Sequence, residues 1–365
     1  TDQFEPGSTF KIVAATASLA ENIVALEQEF SCENGEFDYF GSTIKDHEPY
    51  EQLTISQIIK YSSNIGIIKI AEEVGSNSIY KYAKLFGFGT PTNFDMAGET
   101  AGKIKPEKEW SRISIGQISM GHEVAVNTLQ LAVAFSAIAN NGFIVKPYII
   151  DRIHNKDKNL KQKTLSIVKR QISSENKINK IKDMLRQVVL DGTGTEADIQ
   201  GWEVAGKTGT AQKYIDGKYS NDHFISNFVG FFPASKPEIL SIIVLDEPKS
   251  PMHWGGKGAA VAFKRVMERI INMDDSITPP AKEKKQEILN HFAYSKLDRS
   301  IVTDQIPSAL STKKIEKRVE VPNVLGKSLK KAIAILSNAG LKVKVNGSGQ
   351  VIEQFPNPGR LIKNS

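Results

Sequence analysis

Residues 10–21 are almost all Phe, Ile, Val, Ala and Leu, with few polar interruptions, and this pattern predicts a helix buried on most of its surface. Pro6 and Gly7 break the chain immediately before it. A second helical pattern covers residues 53–60, and helices dominate the stretch from residue 8 to about residue 190. Beyond residue 200 the texture changes. Residues 202–210 predict an edge strand, and 224–233 with 238–245 predict a hairpin beside it. A helical lobe next to an antiparallel sheet is an α+β architecture.

The pattern changes again near residue 273. Asp274-Asp275-Ser276 and Pro279-Pro280 precede Lys282-Glu283-Lys284-Lys285, and residues 273–318 read as a polar linker with one short helix around 287–292. A second unit, 319–365, follows. In it Leu329, Ala332, Ile333 and Leu336 share one helical face, residues 341–345 alternate as a strand, and 351–355 read as another strand before the turn Pro356-Asn357-Pro358-Gly359.

Composition narrows the class only slightly. A chain of 365 residues with 40% hydrophobic content has room for two domains and a sizeable core. The net charge of +6 is mild and gives no ground for a nucleic-acid role. Cys32 is the single cysteine, so no intrachain disulfide can form. No apolar run approaches the roughly 18 residues needed to cross a bilayer, and no signal-peptide pattern opens the chain. The six histidines, His47, His122, His154, His223, His253 and His291, form no metal-ligand spacing and read as structural or solvated. Asp191-Gly192-Thr193-Gly194-Thr195 lacks the lysine of a nucleotide loop and reads as a segment turning toward the Lys207 strand.

Three short segments carry candidate chemistry. Ser8-Thr9-Phe10-Lys11 stands at the start of the first helix, where residues three apart share a face and a lysine can act as base to a serine nucleophile. Lys11 would then need a pKa well below about 10.4, obtained by burial and by a second cation such as Lys207. The spacing alone is weak: Ser42/Lys45, Ser78/Lys81, Ser166/Lys169, Ser174/Lys177, Ser311/Lys314 and Ser328/Lys331 repeat it, and Ser8 could equally cap a helix. Ser62-Ser63-Asn64 offers a hydroxyl to relay a proton and an amide to hold a peptide backbone. Lys207-Thr208-Gly209-Thr210 puts a lysine and two hydroxyls on a strand, a surface for gripping a carboxylate.

Ser-x-x-Lys, Ser-x-Asn and Lys-Thr-Gly in this order form the signature of penicillin-binding proteins and class A β-lactamases. Residues 1–272 resemble the transpeptidase domain of class B penicillin-binding proteins. The likeness extends to Glu5-Pro6-Gly7-Ser8-Thr9-Phe10-Lys11, to Ser114-Ile115-Gly116, and to Asn127-Thr128-Leu129-Gln130-Leu131-Ala132, where Asn127 and Thr128 depart from the usual Thr-Pro. It continues through Phe228-Val229-Gly230-Phe231-Phe232-Pro233-Ala234 and Trp254-Gly255-Gly256. Residues 319–365 resemble a PASTA domain by Val321-Pro322-Asn323-Val324, Ala339-Gly340-Leu341 and the Pro356-Asn357-Pro358-Gly359 turn.

The resemblance implies a penicillin-binding-protein/β-lactamase-like fold in which Ser8 is acylated by the D-alanyl-D-alanine end of a peptidoglycan stem peptide and passes the acyl group to an amine of a second stem. It implies Lys11 as base, Ser62 as proton relay and Lys207 as electrostatic partner, with no cofactor or metal. Asn64, Thr208, Gly209 and Thr210 would bind substrate: Asn64 the donor amide, Thr208 and Thr210 the carboxylate, and Gly209 by leaving room for the peptide. Backbone N–H groups of Ser8 and Thr210 would form the oxyanion hole. Implied partners are stem peptides, β-lactams, a membrane glycosyltransferase and division proteins. The implied location is the cytoplasmic membrane, with the catalytic domain outside. Family members carry sheet strands, a pedestal domain and an anchor before the serine motif and a last strand after the Pro-Gly turn, so the chain is expected to be a fragment truncated at both ends and to fold poorly alone.

Three functions remain open at this point: septal cross-linking, hydrolysis as a carboxypeptidase or β-lactamase, and penicillin sensing without turnover. The Glu-x-x-Leu-Asn segment of a class A β-lactamase is not identifiable, which favours a long-lived acyl-enzyme.

Overall fold

The computed structural model describes residues 2–95, 97–157, 160–274, 276–277, 318–347 and 349–363. Most of the linker, including the helix expected at 287–292, lies outside the described residues. The chain forms two compact units, Thr1–Met267 and Glu268–Ser365.

The first unit is built around one helix. A 3-10 turn, Gly7–Lys11, leads into α1 (Ile12–Ala20), in which every residue from Ile12 to Leu19 is buried. Ser8 therefore sits in a tight turn one step before the regular helix rather than at its first position. Four short strands follow, β1 (Glu29–Ser31), β2 (Glu36–Tyr39), β3 (Ser42–Lys45) and β4 (Gln52–Thr54), with β1 pairing β4 and β2 pairing β3. Next come α2 (Ile55–Tyr61), α3 (Asn64–Val74), α4 (Ser76–Phe86), α5 (Ser114–Met120) and α6 (Thr128–Ala139). Thr54 and Gln57 close a capping box on α2, and Asn127 and Gln130 do the same on α6. Asn127, one of the two residues that depart from the expected Thr-Pro, is thus the N-cap of α6.

Two small two-stranded sheets, β5 (Phe143–Val145) with β8 (Val168–Gln171) and β6 (Arg152–His154) with β7 (Leu160–Lys163), precede the long α7 (Glu175–Asp191). The main sheet is β9 (Ala205–Ile215), β10 (Lys218–Phe232) and β11 (Ile239–Asp246), antiparallel in the order β11-β10-β9, so β9 is an edge of this sheet. The first unit ends within α8 (Ala259–Met273), at Met267. α1 packs against α3, α4 and α7, and α7 packs on β9, so one apolar core joins helices to sheet. Fully burying each Ile, Leu, Val or Phe contributes roughly 1.5–3 kcal/mol. That core is what allows two lysines to be held dry.

In the second unit a helix, Leu329–Asn338, lies in the chain between two strands, Arg318–Glu320 and Leu361–Lys363, which pair antiparallel. The segments 341–345 and 351–355 are not strands, despite their alternation. The pairing is made after the Pro-Gly turn instead.

Candidate active site

Tyr61 ends α2 and Ser62 adopts a left-handed conformation (φ 63°), unusual for a residue with a side chain. Ser63 then caps α3, its Oγ accepting from Gly66 N at 2.9 Å, and Asn64 is the first residue of α3. The expected loop is thus a two-residue connection, Ser62 and Ser63, between two helices. Asp46, just beyond β3, secures the junction: it accepts hydrogen bonds from the backbone N–H groups of Asn64 and Ile65 and from Ser63 Oγ (2.5 Å). A carboxylate at a helix N-terminus is favourably placed against the helix dipole. Asn64 Nδ2 donates to Lys45 O at 2.9 Å, which leaves its Oδ1 for Lys11.

Lys11 and Lys207 are both fully buried. Lys11 Nζ donates to Ser62 O (2.5 Å) and Asn64 Oδ1 (2.9 Å) and lies 3.3 Å from Ser62 Oγ. Lys207 Nζ approaches the same hydroxyl from β9 at 2.9 Å. Ser62 Oγ therefore bridges two amines. Ser8 Oγ has no hydrogen-bond partner among the described residues, so the expected Ser8–Lys11 contact gives way here to a Lys11–Ser62–Lys207 cluster.

Burial lowers the Lys11 pKa to about 7, and the charge of Asp46 offsets part of that effect. Lys207 is driven well below the ordinary lysine range, first by burial and second by repulsion from Lys11. Burial is the first cause at both lysines, and the repulsion between the two amines is mutual. Two ammonium groups this close do not both stay charged. A hydroxyl between two amines, one of them neutral, can pass a proton in either direction.

Thr208 and Thr210 line a cleft of about 690 Å³ together with Ser8, Ser62, Asn64, His122, Thr193 and Trp254. Thr208 Oγ1 lies 2.8 Å from Thr193 Oγ1, so the Asp191–Thr195 segment does turn against the Lys207 strand. Thr210 Oγ1 accepts from Gly255 N at 3.0 Å, which leaves its own proton for a ligand. Gly209 carries a further constraint: a side-chain carbon there would lie 2.4–2.7 Å from the Asn227 amide, so glycine makes room for Asn227. Asn227 Nδ2 in turn donates to Pro6 O at 3.2 Å and ties β10 to the turn carrying Ser8. Gly7 has φ 56° and passes so close to Thr210 O that a side-chain carbon would come within 2.7 Å.

The structure thus brings Lys11, Ser62, Asn64 and Lys207 into one cluster and places Ser8, Thr208 and Thr210 on the cleft beside it. Asp46, Asn227 and Thr193 complete the arrangement, although Asp46 lies in the polar run Lys45-Asp46-His47-Glu48, which looks like a solvated turn. His122, expected to be structural or solvated, lines the cleft. Trp254 lines it too, with His47 5.1 Å and His253 5.0 Å from it, ring centre to ring centre. Among the described residues no three His, Cys, Asp or Glu side chains converge as a metal site. Cys32 is buried, and burial raises its thiol pKa.

Residues 1–268 match the family described as penicillin binding protein transpeptidase domain, and residues 319–365 match the PASTA domain. Stage V sporulation protein D of Bacillus subtilis is 31% identical over 99% of this chain and 52% of its own length. Peptidoglycan D,D-transpeptidase FtsI of Escherichia coli is 31% identical over 74% of this chain and 44% of its own. The chain spans about half the length of the curated relatives it matches. Among solved structures, penicillin-binding protein 3 of Mycobacterium tuberculosis in complex with ampicillin aligns with a TM-score of 0.68 and 27% identity, covering 78% of this chain and 65% of that one. The transpeptidase domain of Burkholderia pseudomallei penicillin-binding protein 3 aligns with the same TM-score and 29% identity, covering 77% and 82%. With its motif residues gathered at one cleft and its core continuous from α1 to β9, the chain belongs to the class B penicillin-binding proteins and carries a C-terminal PASTA domain.

Proposed function

We propose that the protein is a serine D,D-transpeptidase that joins peptidoglycan stem peptides through an acyl-enzyme on Ser8 and is acylated there by β-lactams. The observation that carries this reading is the Ser62 hydroxyl suspended between two buried amines next to a cleft containing Ser8. Ser8 Oγ attacks the penultimate D-alanine carbonyl while neutral Lys11 takes its proton, directly or through Ser62. The oxyanion is met by the backbone N–H groups of Ser8 and Thr210, each donor being worth on the order of a hundredfold in rate. The C–N bond then breaks, the leaving D-alanine amine takes a proton from the Ser62 relay, and Thr208 with Thr210 holds the terminal carboxylate.

The acidic residue among those lining the cleft, Glu196, forms a half-exposed ion pair with Lys257 at 3.0 Å. For the finer assignment we propose septal cross-linking beside a membrane glycosyltransferase, with this domain on the outer face of the cytoplasmic membrane. The PASTA domain supports it. Midcell accumulation of a fluorescent fusion tests that assignment, and uniform wall labelling would refute it.

The activity itself is tested by incubating the protein with a fluorescent penicillin and weighing the adduct. A single adduct on the wild type and none on Ser8→Ala is the expected result. Labelling of Ser8→Ala, or no labelling of folded wild type, would overturn the reading.

A further inference from the structure

The second half of a transpeptidation needs two proton transfers, one from the acceptor ammonium before it attacks and one to Ser8 Oγ as the ester breaks. The acceptor arrives as an ammonium ion and has no lone pair until it loses a proton. A base near the acyl-enzyme, separate from the lysines that serve the donor, would meet that need.

His122 stands in the right place. Gly121 O accepts a hydrogen bond from Gly7 N at 3.2 Å, which fastens the end of α5 to the turn that carries Ser8. The next residue, His122, lines the same cleft as Ser8. Its ring is held from behind: Nδ1 lies 2.9 Å from Glu5 Oε2, while Glu5 Oε1 accepts from Glu123 N (3.0 Å) and from the Tyr219 hydroxyl (3.2 Å). Tyr219 also packs edge-on against the imidazole, with centroids 5.2 Å apart. A carboxylate can only accept, so Nδ1 carries a proton, and in the neutral ring the lone pair is on Nε2. Nε2 has no hydrogen-bond partner among the described residues. The titratable groups around the ring are Glu5, Glu123 and Tyr219, with Tyr214 stacked edge-on to Tyr219 at 5.2 Å. Burial and the neighbouring carboxylates raise the Tyr219 pKa, so its phenol remains a donor to Glu5.

We infer that His122, oriented by Glu5, is the general base that deprotonates the acceptor amine in the transfer step. The inference rests on the transpeptidase reading above and extends it to the acceptor. Nε2 takes one proton from the acceptor ammonium, and the freed lone pair forms the C–N bond to the acyl carbon. The second amine proton passes through Ser62 to Ser8 Oγ as the ester C–O bond breaks. Glu5 is a positioning residue: it selects the tautomer and stabilises the imidazolium formed. The fitting acceptor is a primary amine.

The test is the ratio of amide product to free acid, because this ratio does not depend on how much of a variant is folded. A D-alanyl thioester serves as donor and D-alanine as acceptor, with products quantified from pH 6 to pH 10. For His122→Gln the ratio at neutral pH is expected to fall about a hundredfold or more, the usual scale for general base catalysis. Glu5→Gln should lower it severalfold. Both deficits should shrink as pH rises through the acceptor amine's own pKa, where the amine no longer needs a base. A ratio equal to wild type in both variants, or a deficit of the same size at every pH, would overturn the inference alone. A wild type that yields only free acid would overturn the transpeptidase reading and the inference with it.

Discussion

Strand β9 carries two lysines six residues apart whose surroundings push them in opposite directions. Lys207 is fully buried, its amine meets hydroxyl and carbonyl oxygens but no carboxylate, and its pKa falls. Lys213 lies near the strand's outer end, where Asp246 (2.6 Å) and Glu247 (2.8 Å) raise its pKa. The helical side repeats the contrast. Lys11 is buried and lowered, while Lys60, two residues before Ser62, is raised by Asp191 at 2.5 Å. Residue type is the same in all four cases. What differs is the balance between burial and a carboxylate in contact: Lys60 and Lys213 each hold one in a salt bridge, whereas Lys11 feels Asp46 without a salt bridge and Lys207 meets none, and those two are lowered toward use as bases at neutral pH.

The contrast is broken most severely at its buried end. Lys207→Ala removes one of the two amines that meet at Ser62 Oγ, and acylation by penicillin should slow about a hundredfold or more, measured as a second-order rate by stopped flow. A rate within threefold of wild type would take Lys207 out of the mechanism.

Asp46→Asn sharpens the comparison by changing charge at nearly constant shape. Asp46 raises the Lys11 pKa, so the variant should bring it lower still and shift the acid limb of the acylation profile to lower pH. The weaker hold on Asn64 should cut the plateau rate by about tenfold. An unshifted limb would show that the Asp46 charge is not felt at Lys11.

The exposed end should respond least. Lys213→Ala is expected to leave acylation within twofold of wild type and to change unfolding free energy by less than about 1 kcal/mol, as surface ion pairs do. A loss comparable to that of Lys207→Ala would mean that position along β9, rather than burial, sets the effect.

Much of this was legible in the sequence. The apolar run before residue 21, the Pro6-Gly7 break and the alternation after residue 200 identify α1, the Ser8 turn and the main sheet, because each is a local pattern. The grouping of Ser8, Lys11, Ser62, Asn64 and Lys207 was legible as a set of motifs, but the bonds among them were not. Lys11 pairs with residues 51 and 53 positions away, Asp46 with Ser63 and Asn64, and Glu5 with His122 across 117 positions. Periodicity carries no record of such pairings. Gly209 illustrates the limit: the need for glycine is visible in the sequence, while its cause, Asn227 on the neighbouring strand, appears only when β9 and β10 are in register. In the second unit, alternation at 341–345 belongs to no strand, since the backbone partners are 318–320 and 361–363.

The most direct test of the buried-lysine account is the pH dependence of Ser8 acylation by a fluorescent penicillin between pH 5 and pH 9. Only neutral Lys11 can accept the serine proton, and its pKa in the folded protein is about 7. The rate should therefore rise about tenfold per pH unit on the acid side and level off above about pH 7. A rate that keeps climbing through pH 9, as an ordinary lysine with a pKa of about 10.4 would give, contradicts the account.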